Sequence, residues 1–127
     1  MSDDPPLILC ADDDEDILSL VALRLRRAGY EVVQAQDGHV ALELARSRRP
    51  AVAVLDVMMP RLTGHEVLAA IRADDDLRDL KVVLLSARVQ EVDVERGMEA
   101  GADAYLAKPF RAEELLEQVR ALLEDPT

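Results

Sequence analysis

The sequence predicts an α/β fold in which a doubly wound parallel sheet of five strands is covered on both faces by five helices. Short runs rich in Val, Ile and Leu alternate five times with longer amphipathic stretches, which is the pattern of βα units. Near-continuous apolar runs are typical of strands buried on both faces. A length of 127 residues suits a single domain, and a hydrophobic content of 50% is too high for a disordered chain. We therefore expect one domain over residues 1–127, with its core at about 7–123.

Each predicted strand is followed by a stretch with apolar residues three and four positions apart, the spacing of an amphipathic helix. The predicted strands are Leu7–Ala11, Glu31–Ala35, Val52–Asp56, Val82–Ser86 and Ala104–Ala107. The apolar positions of the helices are, in chain order, Ile17, Leu20, Val21 and Leu25; Val40, Ala41 and Leu44; Val67, Leu68 and Ile71; Val92, Val94 and Met98, the least regular set; and Leu115, Leu116, Val119, Leu122 and Leu123. Gly29, Pro50 and Gly101 follow three of these helices and are typical of helix ends.

The composition argues against several classes of partner. The chain has 26 acidic residues against 15 Lys and Arg, and its net charge of −11 repels both nucleic acid and anionic lipid, so we expect no direct binding to either. The N-terminus lacks the pattern of a signal peptide, and no apolar stretch is long enough to span a bilayer. Cys10 is the only cysteine, and a lone thiol suits a reducing compartment. These features predict a cytoplasmic protein.

Charged and hydroxyl side chains follow four of the five predicted strands. The first strand runs into Asp12-Asp13-Asp14, the third ends at Asp56, the fourth ends at Ser86, and Lys108 follows the fifth. Taken singly, Asp14 and Ser86 could each cap a helix. Taken together, they lie where the carboxyl ends of parallel strands meet, which is the edge at which α/β proteins bind ligands.

We expect the first strand to lie beside the third, which would bring Asp12, Asp13 and Asp56 together. Like charges at one site raise one another's pKa or recruit a cation, and a cluster of oxygen ligands suits a hard ion such as Mg²⁺. Lys108 is one of only two lysines in the chain and would supply a compact positive charge that is able to clamp a phosphate. The residues therefore favour a Mg²⁺ site with a positive charge beside it.

Four short segments, in this order and at these spacings, carry a family resemblance. They are Ile8–Asp14, Leu55–Pro60 with Gly64 after it, Leu85–Ala87 and Ala100–Phe110. Together they resemble the receiver domains of two-component response regulators, of which the bacterial chemotaxis receiver is the best-known single-domain member. The resemblance covers Leu7–Leu123. It implies a flavodoxin-like fold with the strand order 2-1-3-4-5 and a cis peptide bond between Lys108 and Pro109.

The resemblance also implies a phosphoacceptor. Asp56 would take a phosphoryl group from a phosphohistidine of a histidine kinase or of a histidine phosphotransfer protein. Asp13 and Asp56 would bind Mg²⁺ directly, Asp12 would act on the ion through water, and Met58 would contribute its backbone carbonyl. A metal and a cation are needed because negative charge develops on the phosphoryl oxygens during transfer.

By the same resemblance, Lys108 and the hydroxyl of Ser86 would hold the phosphoryl group on Asp56. The group adds about two negative charges, and a hydroxyl drawn toward it would move the end of the fourth strand and let Tyr105 rotate inward. The alternative for Tyr105 is a half-buried packing residue. Arg88 would border the site. The protein would then promote its own phosphorylation and slow dephosphorylation, and would not be an enzyme acting on a separate substrate.

The resemblance places the phosphodonor protein around the first helix. Its candidate contacts are Glu15, Asp16, Ser19, Ala22 and Leu23; the alternative is that these residues form the solvated side of the helix. The output surface would comprise the fourth helix, the fifth strand and the fifth helix. It would serve an output protein, an effector domain or a phosphorylation-dependent dimer, whose identity the sequence leaves open.

One region departs from a common family pattern. Receivers joined to winged-helix DNA-binding domains usually carry an acidic residue at the position of Ala104 and basic residues late in the last helix, where they form salt bridges in a dimer. Here Ala104, Gln118 and Glu124-Asp125 occupy that region. The departure favours a stand-alone receiver or a receiver from a different kind of regulator.

Four other functions share single features of this sequence. Haloacid-dehalogenase-type phosphatases have an Asp-x-Asp after a first strand, but they carry Thr or Val where this chain has Asp16, and they need a longer chain. Asp12, Asp14 and Asp16 alternate as in a calcium loop, but Ile17 replaces the required Gly and Leu23 the required Glu. A flavodoxin-like electron carrier needs hydroxyls and amides in its first loop. An interaction module without phosphorylation is disfavoured because the full set of site residues is intact.

Overall fold

A computed structural model of the chain describes residues 5–87 and 91–124. Strands and helices alternate along these ranges: β1 (Leu7–Ala11), α1 (Glu15–Arg27), β2 (Glu31–Ala35), α2 (Gly38–Arg48), β3 (Val52–Asp56), α3 (Gly64–Ala73), β4 (Lys81–Ser86), α4 (Glu91–Glu99), β5 (Ala104–Ala107) and α5 (Ala112–Glu124). In the part of the chain that is described, no helix combines the length and the hydrophobicity needed to cross a bilayer.

The five strands form one parallel sheet in the order β2-β1-β3-β4-β5. The predicted α/β fold and its strand order are therefore confirmed. Four strands have the predicted bounds, and β4 begins one residue earlier than predicted, at Lys81, which pairs with Val52 of β3. The apolar pattern missed Lys81 because backbone pairing does not depend on the polarity of the side chain.

The sheet is buried on both faces because successive residues of its central strands point to opposite sides. One core packs under α2 and α3 and includes Leu9, Leu55, Leu68, Ile71 and Leu84. The other packs under α1 and α5 and includes Ile8, Leu25, Val54, Val83 and Leu115. All five residues of β3 are buried. The packing of this strand therefore carries its last residue, Asp56, out of water.

Polar side chains begin the helices that leave the carboxyl edge of the sheet. Asp14 caps α1 by accepting two backbone N–H groups at 3.0 and 3.2 Å. The expectation that Asp14 could cap a helix is therefore confirmed. Asp37 caps α2 through one such bond of 2.8 Å. Thr63 and Glu66 form a reciprocal capping box at the start of α3. Each cap satisfies free N–H groups and so fixes where the chain turns from loop into helix.

Two further local predictions are confirmed. Gly29 and Gly101 follow α1 and α4 with φ angles of 102° and 107°, the left-handed backbone that ends many helices. The peptide bond between Lys108 and Pro109 is cis, as the family resemblance implied.

Cys10 lies inside β1 and is only 1% exposed. Burial raises the pKa of its thiol to about 12. Since the thiolate is the reactive form of cysteine, this side chain serves the core as a small apolar group.

Arg72, at the end of α3, joins three segments at the amino edge of the sheet. Its guanidinium donates to the backbone carbonyls of Gly101 (2.9 and 2.6 Å), Arg78 (2.9 Å) and Leu80 (2.6 Å). It also donates to Asp103 at 3.0 Å, and Asp103 accepts the backbone N–H of Val82 at 2.8 Å. One side chain thus ties the end of α3 to the start of β4 and to the turn before β5.

Candidate functional site

The carboxyl edge of the sheet brings three carboxylates together. β1 lies beside β3, with Ala11 paired to Leu55, so Asp12 and Asp56 occupy the next positions along the two adjacent strands. One oxygen atom from each of Asp12, Asp13 and Asp56 lies within 4.8 Å of the other two. Asp12 and Asp56 are buried and Asp13 is exposed. The cluster therefore opens to solvent on the side of Asp13.

Lys108 reaches into this cluster from the loop after β5. Its Nζ donates to Oδ2 of Asp12 at 2.8 Å and lies 3.3 Å from Oδ1 of Asp56. Because its side chain is only 17% exposed, these ion pairs are little screened by water. One ammonium therefore bridges the two buried carboxylates.

The electrostatics of the cluster show in the pKa of Asp56. Burial, and next the charge of Asp12, raise this pKa from 3.8 to about 6, although Lys108 and a backbone N–H of Met58 act in the opposite direction. For Lys108, burial alone would lower the pKa, but the hydrogen bond to Asp12 and the charge of Asp56 outweigh it and raise the pKa. Lys108 stays protonated, and one positive charge faces three acidic groups.

The cluster is able to bind a metal ion. Its donors are all carboxylate oxygens, which hard divalent cations prefer, and they are close enough for one ion to contact more than one of them. A cation would also offset the repulsion that raises the pKa of Asp56. The charge and the donor set of this edge of the sheet therefore favour a divalent cation.

Ser86 ends β4 and is 3% exposed. Asp56 pairs with Leu85 across the β3–β4 ladder, so Ser86 lies one residue further toward the carboxyl edge. The backbone carbonyl of Ser86 accepts the N–H of Lys108 at 2.8 Å. The hydroxyl-bearing residue and the lysine are thus tied together through the main chain.

Met58 has an exposed side chain, but its backbone belongs to the site. Its N–H interacts with the carboxylate of Asp56 and lowers the pKa of that group. The loop that carries it is held to β4 by a 2.8 Å bond from the N–H of Val57 to the carbonyl of Leu85. The position of Met58 therefore depends on the backbone path directly after β3.

Tyr105 lies on β5 and is half-buried against the core under α2 and α3. It pairs with Leu84 across the β4–β5 ladder. Its ring also faces α4, since a Cβ built on Gly97 would lie 3.0 Å from two ring carbons. This position matches the packing alternative for Tyr105, and it is also next to the strand that ends at Ser86. Arg88, expected to border the site, lies outside the described residues.

The structure corrects one candidate contact on α1. Glu15, Asp16, Ser19 and Leu23 are exposed, but Ala22 is fully buried at 0% exposure. The expectation that Ala22 contacts a partner is therefore wrong, because its methyl group packs into the core.

Leu20 is a second difference between the apolar face predicted for α1 and the face that is buried in the structure. It fits the predicted apolar stripe of α1, yet 57% of it is exposed. It lines an apolar groove of about 350 Å³ between α1 and the loop after β5, together with Ile17, Val21, Ala87, Lys108, Pro109, Phe110 and Ala112. Since Lys108 reaches both, the groove adjoins the acidic cluster. The sequence did not reveal it because the two walls lie about ninety residues apart in the chain.

The sequence model of the family described as "Response regulator receiver domain" matches residues 8–120 of this chain. The match includes the three clustered acids, Ser86 and Lys108. The chain belongs to the response regulator receiver family. The receiver domain predicted from the four sequence segments is therefore confirmed, and with it a place in two-component signalling.

Two curated response regulators resemble this receiver along nearly its whole length. Response regulator MprA of Mycolicibacterium vanbaalenii is 47% identical over 123 residues, which cover 97% of this chain and 52% of MprA. Transcriptional regulatory protein PrrA of Mycobacterium tuberculosis is 48% identical over 118 residues, which cover 93% of this chain and 50% of PrrA. The chain spans about half the length of these curated relatives.

A solved structure supports the same fold. Chemotaxis response regulator CheY4 of Vibrio cholerae superimposes with a TM-score of 0.88 at 33% identity, over 93% of this chain and 98% of CheY4. The chain therefore has the flavodoxin-like receiver fold of CheY4, as the resemblance implied.

Proposed function

We propose that this receiver accepts a phosphoryl group on Asp56, from a phosphohistidine of a histidine kinase or a histidine phosphotransfer protein, in a reaction that depends on Mg²⁺. The observation that carries the proposal is the cluster of Asp12, Asp13 and Asp56 with Lys108 bridging its two buried members. A buried carboxylate crowded by like charge, next to one fixed ammonium, is arranged to take up positive charge and then a phosphoryl group.

Mg²⁺ fits the donors that the cluster offers. Asp13 and Asp56 would bind the ion directly, Asp12 through a water molecule, and Met58 through its backbone carbonyl. When bound, the ion neutralises charge on the phosphoryl oxygens. Asp13 is the exposed member of the cluster, so it also leaves a path by which the ion and the donor reach Asp56.

In the transfer step, a carboxylate oxygen of Asp56 forms a bond to phosphorus while the bond from phosphorus to the histidine nitrogen breaks. The nitrogen keeps the electron pair of the broken bond. Lys108, now 3.3 Å from Oδ1 of Asp56, would pair with a phosphoryl oxygen, and its raised pKa keeps it charged for that purpose. The receiver is in this sense a phosphoacceptor that promotes its own modification and its slow reversal.

The proposed switch involves Ser86 and Tyr105. The hydroxyl of Ser86 would bond the phosphoryl group, which draws the end of β4 toward Asp56. The support is that Ser86 and Tyr105 lie on adjacent strands, with Leu84 paired to Tyr105 and Ser86 to Ala107. A shift of the β4 end therefore acts directly on the strand that carries Tyr105.

The proposed docking site for the phosphodonor is the exposed part of α1 and the adjoining apolar groove. Glu15, Asp16 and Ser19 provide its charged and polar rim, and Leu20 and Leu23 provide exposed apolar surface, with Leu20 in the groove next to Lys108. A partner seated there would hold its histidine near Asp56. Proximity of this kind lowers the entropic cost of the transfer step.

The proposed output passes through α4, β5 and α5 to a separate protein, to an attached effector domain or to a second copy of the receiver. The charge of −11 argues against direct contact of the receiver with nucleic acid or an anionic membrane. PrrA is named as a transcriptional regulator, so DNA binding by a further domain is one such output. The cytoplasm is the proposed location, in keeping with the free Cys10.

Acetyl phosphate, a small phosphodonor, tests the acceptor. With Mg²⁺ present, the intact mass of the protein is expected to rise by one phosphoryl group, and Asp56→Asn is expected to abolish the increase because the amide is not a nucleophile for phosphorus. Asp75→Asn is the matched control, since Asp75 is 94% exposed and lies outside the cluster. Equal labelling of the Asp56→Asn and Asp75→Asn proteins would overturn the proposal.

Mg²⁺ is expected to raise the melting temperature of the protein, because the acids that bind it meet only in the folded state. At a free Mg²⁺ concentration of ten times the dissociation constant, the free energy of unfolding rises by about 1.4 kcal/mol. Differential scanning fluorimetry with and without Mg²⁺ measures it. Asp13→Asn should remove most of the shift at little cost in stability, since Asp13 is exposed, whereas Asp75→Asn should keep it. A shift that persists in Asp13→Asn would contradict the metal site.

A further inference from the structure

The loop between β3 and α3, residues 57–63, follows the proposed phosphoacceptor directly. The backbone N–H of its Met58 interacts with the carboxylate of Asp56. The proposed Mg²⁺ ligand at Met58 is a main-chain atom, so no side-chain rotation can adjust its position. Whatever fixes the backbone of this loop therefore also fixes the geometry of the site.

Gly64 holds the far end of the loop. Its N–H donates to the carbonyl of Val57 at 2.9 Å, which closes the loop on itself. A Cβ built on Gly64 would lie 2.5 Å from the backbone oxygen of Asp56 and 3.0 Å from Cα of Val57. Only a residue without a side chain allows α3 to start this close to Asp56.

A second glycine, Gly38, also contacts the main chain of this loop. It is the first residue of α2, and its N–H donates to the carbonyl of Pro60 at 3.2 Å. A Cβ built on Gly38 would overlap the backbone carbonyl of Leu62. Beside it, Asp37 caps α2 with one oxygen and has its other oxygen 3.8 Å from Arg61. The start of α2 therefore packs directly against the main chain of the loop.

We propose that Gly38 and Gly64 are positioning residues for the phosphoacceptor site. By contacting the loop from two helix starts, they set where Met58 stands relative to the carboxylate of Asp56. The inference rests on the proposed function at Asp56. Mg²⁺ demands near-ideal octahedral geometry, so a displacement of a few tenths of an ångström in a backbone ligand lowers its affinity.

Gly38→Ala and Gly64→Ala test this inference, with Mg²⁺ binding measured by isothermal titration calorimetry. Each is expected to weaken Mg²⁺ binding by about 10-fold or more, the scale seen when groups that support metal ligands are changed. Gly29→Ala is the matched control. It strains a backbone with φ of 102°, but nothing lies within 4 Å of its Cβ, and it precedes β2 at the opposite edge of the sheet. It is expected to lower stability while changing Mg²⁺ affinity by less than about twofold.

A metal-free readout separates this inference from the proposed function. Hydrogen exchange at the N–H of Gly64 reports on its bond to Val57 and should accelerate in Gly38→Ala, but not in Gly29→Ala. Asp37→Asn is a milder variant should Gly38→Ala not fold. It keeps a helix cap and removes the ion pair with Arg61, and it should accelerate the same exchange less.

The outcomes are distinct. If the wild-type protein binds no Mg²⁺, the proposed function is wrong, while the exchange data still decide the role of the two glycines. Wild-type affinity in folded Gly38→Ala and Gly64→Ala, or an equal loss of affinity in Gly29→Ala, would overturn the positioning role. Unchanged exchange at Gly64 in both Gly38→Ala and Asp37→Asn would overturn it as well.

Discussion

Replacing Asp56 with Asn is expected to raise the free energy of unfolding of the metal-free receiver at pH 7.5 by about 1–3 kcal/mol. Folding carries the Asp56 carboxylate out of water and places it beside Asp12, which raises its pKa from 3.8 to about 6. Because one pKa unit corresponds to about 1.4 kcal/mol, the ionised side chain opposes folding by at most about 3 kcal/mol. The amide of Asn carries no charge, and Lys108 keeps its 2.8 Å bond to Asp12.

The gain from Asp56→Asn is expected to depend on pH with a definite sign. The folded state binds the Asp56 proton more tightly than the unfolded state. The contribution of Asp56 to the free energy of unfolding of the wild type therefore falls as pH rises from about 4 to about 6, and it does not change above that range. The difference between variant and wild type should therefore be largest above pH 6 and should shrink toward pH 4.

Urea denaturation with a chelator at pH 7.5, 6 and 4.5 measures this difference. Asp75→Asn again serves as the control, because its carboxylate is exposed and its loss should change stability by less than about 0.5 kcal/mol. A wild type as stable as Asp56→Asn at pH 7.5, or a difference that does not vary with pH, would show that Asp56 carries no such penalty.

Arg72→Met is expected to lower the free energy of unfolding by about 2–4 kcal/mol. The substitution keeps an apolar stem but removes every donor to Gly101, Arg78 and Leu80, and it leaves the carboxylate of Asp103 without its charged partner. The Arg72 side chain is only 22% exposed, so water compensates for only part of the loss. Urea denaturation of the variant and the wild type measures the effect.

Arg78→Met is the matched control for this prediction. Arg78 lies six residues further along the chain, but its side chain is 63% exposed and pairs only loosely with Asp75, at 3.8 Å. Its loss should cost less than about 0.5 kcal/mol. A double variant of Arg72→Met and Asp103→Asn should lose less than the sum of the two single variants, because they share one ion pair. Equal losses in Arg72→Met and Arg78→Met would refute the role given to Arg72.

The fold was predictable because each βα unit repeats a clear signal, but the orientation of a single helix was not. On α1 the buried residues are Leu18, Val21, Ala22 and Leu25. The sequence also offers Ile17 and Leu20 at the same spacing, one position earlier. Two overlapping apolar stripes fit the same helix, and only packing against the sheet and α5 selects between them. This ambiguity explains why Leu20 fits the predicted apolar stripe and is nevertheless exposed. Ala22 is a different case, because the family resemblance and not the stripe places it among the candidate partner contacts.

The acids of the site were predictable for a geometric reason, since residues after neighbouring parallel strands must approach each other. The bridge that Lys108 makes to Asp12 and Asp56 depends on side-chain conformations, and no sequence pattern specifies it. The acceptors of Arg72 are mostly backbone carbonyls, which are identical in every residue and leave no trace in the sequence. The contacts of Gly38 and Gly64 are hidden for the same reason, because each glycine meets main chain.

The buried thiol of Cys10 has a practical consequence for spectroscopy. With a pKa of about 12 and 1% exposure, it should not compete with a surface cysteine for maleimide or nitroxide reagents. A fluorophore or spin label can then be attached through a cysteine introduced at an exposed position such as Leu20 or Met58, in the otherwise native sequence. The groove and the loop beside Asp56 thereby become accessible to distance measurements without a cysteine-free background.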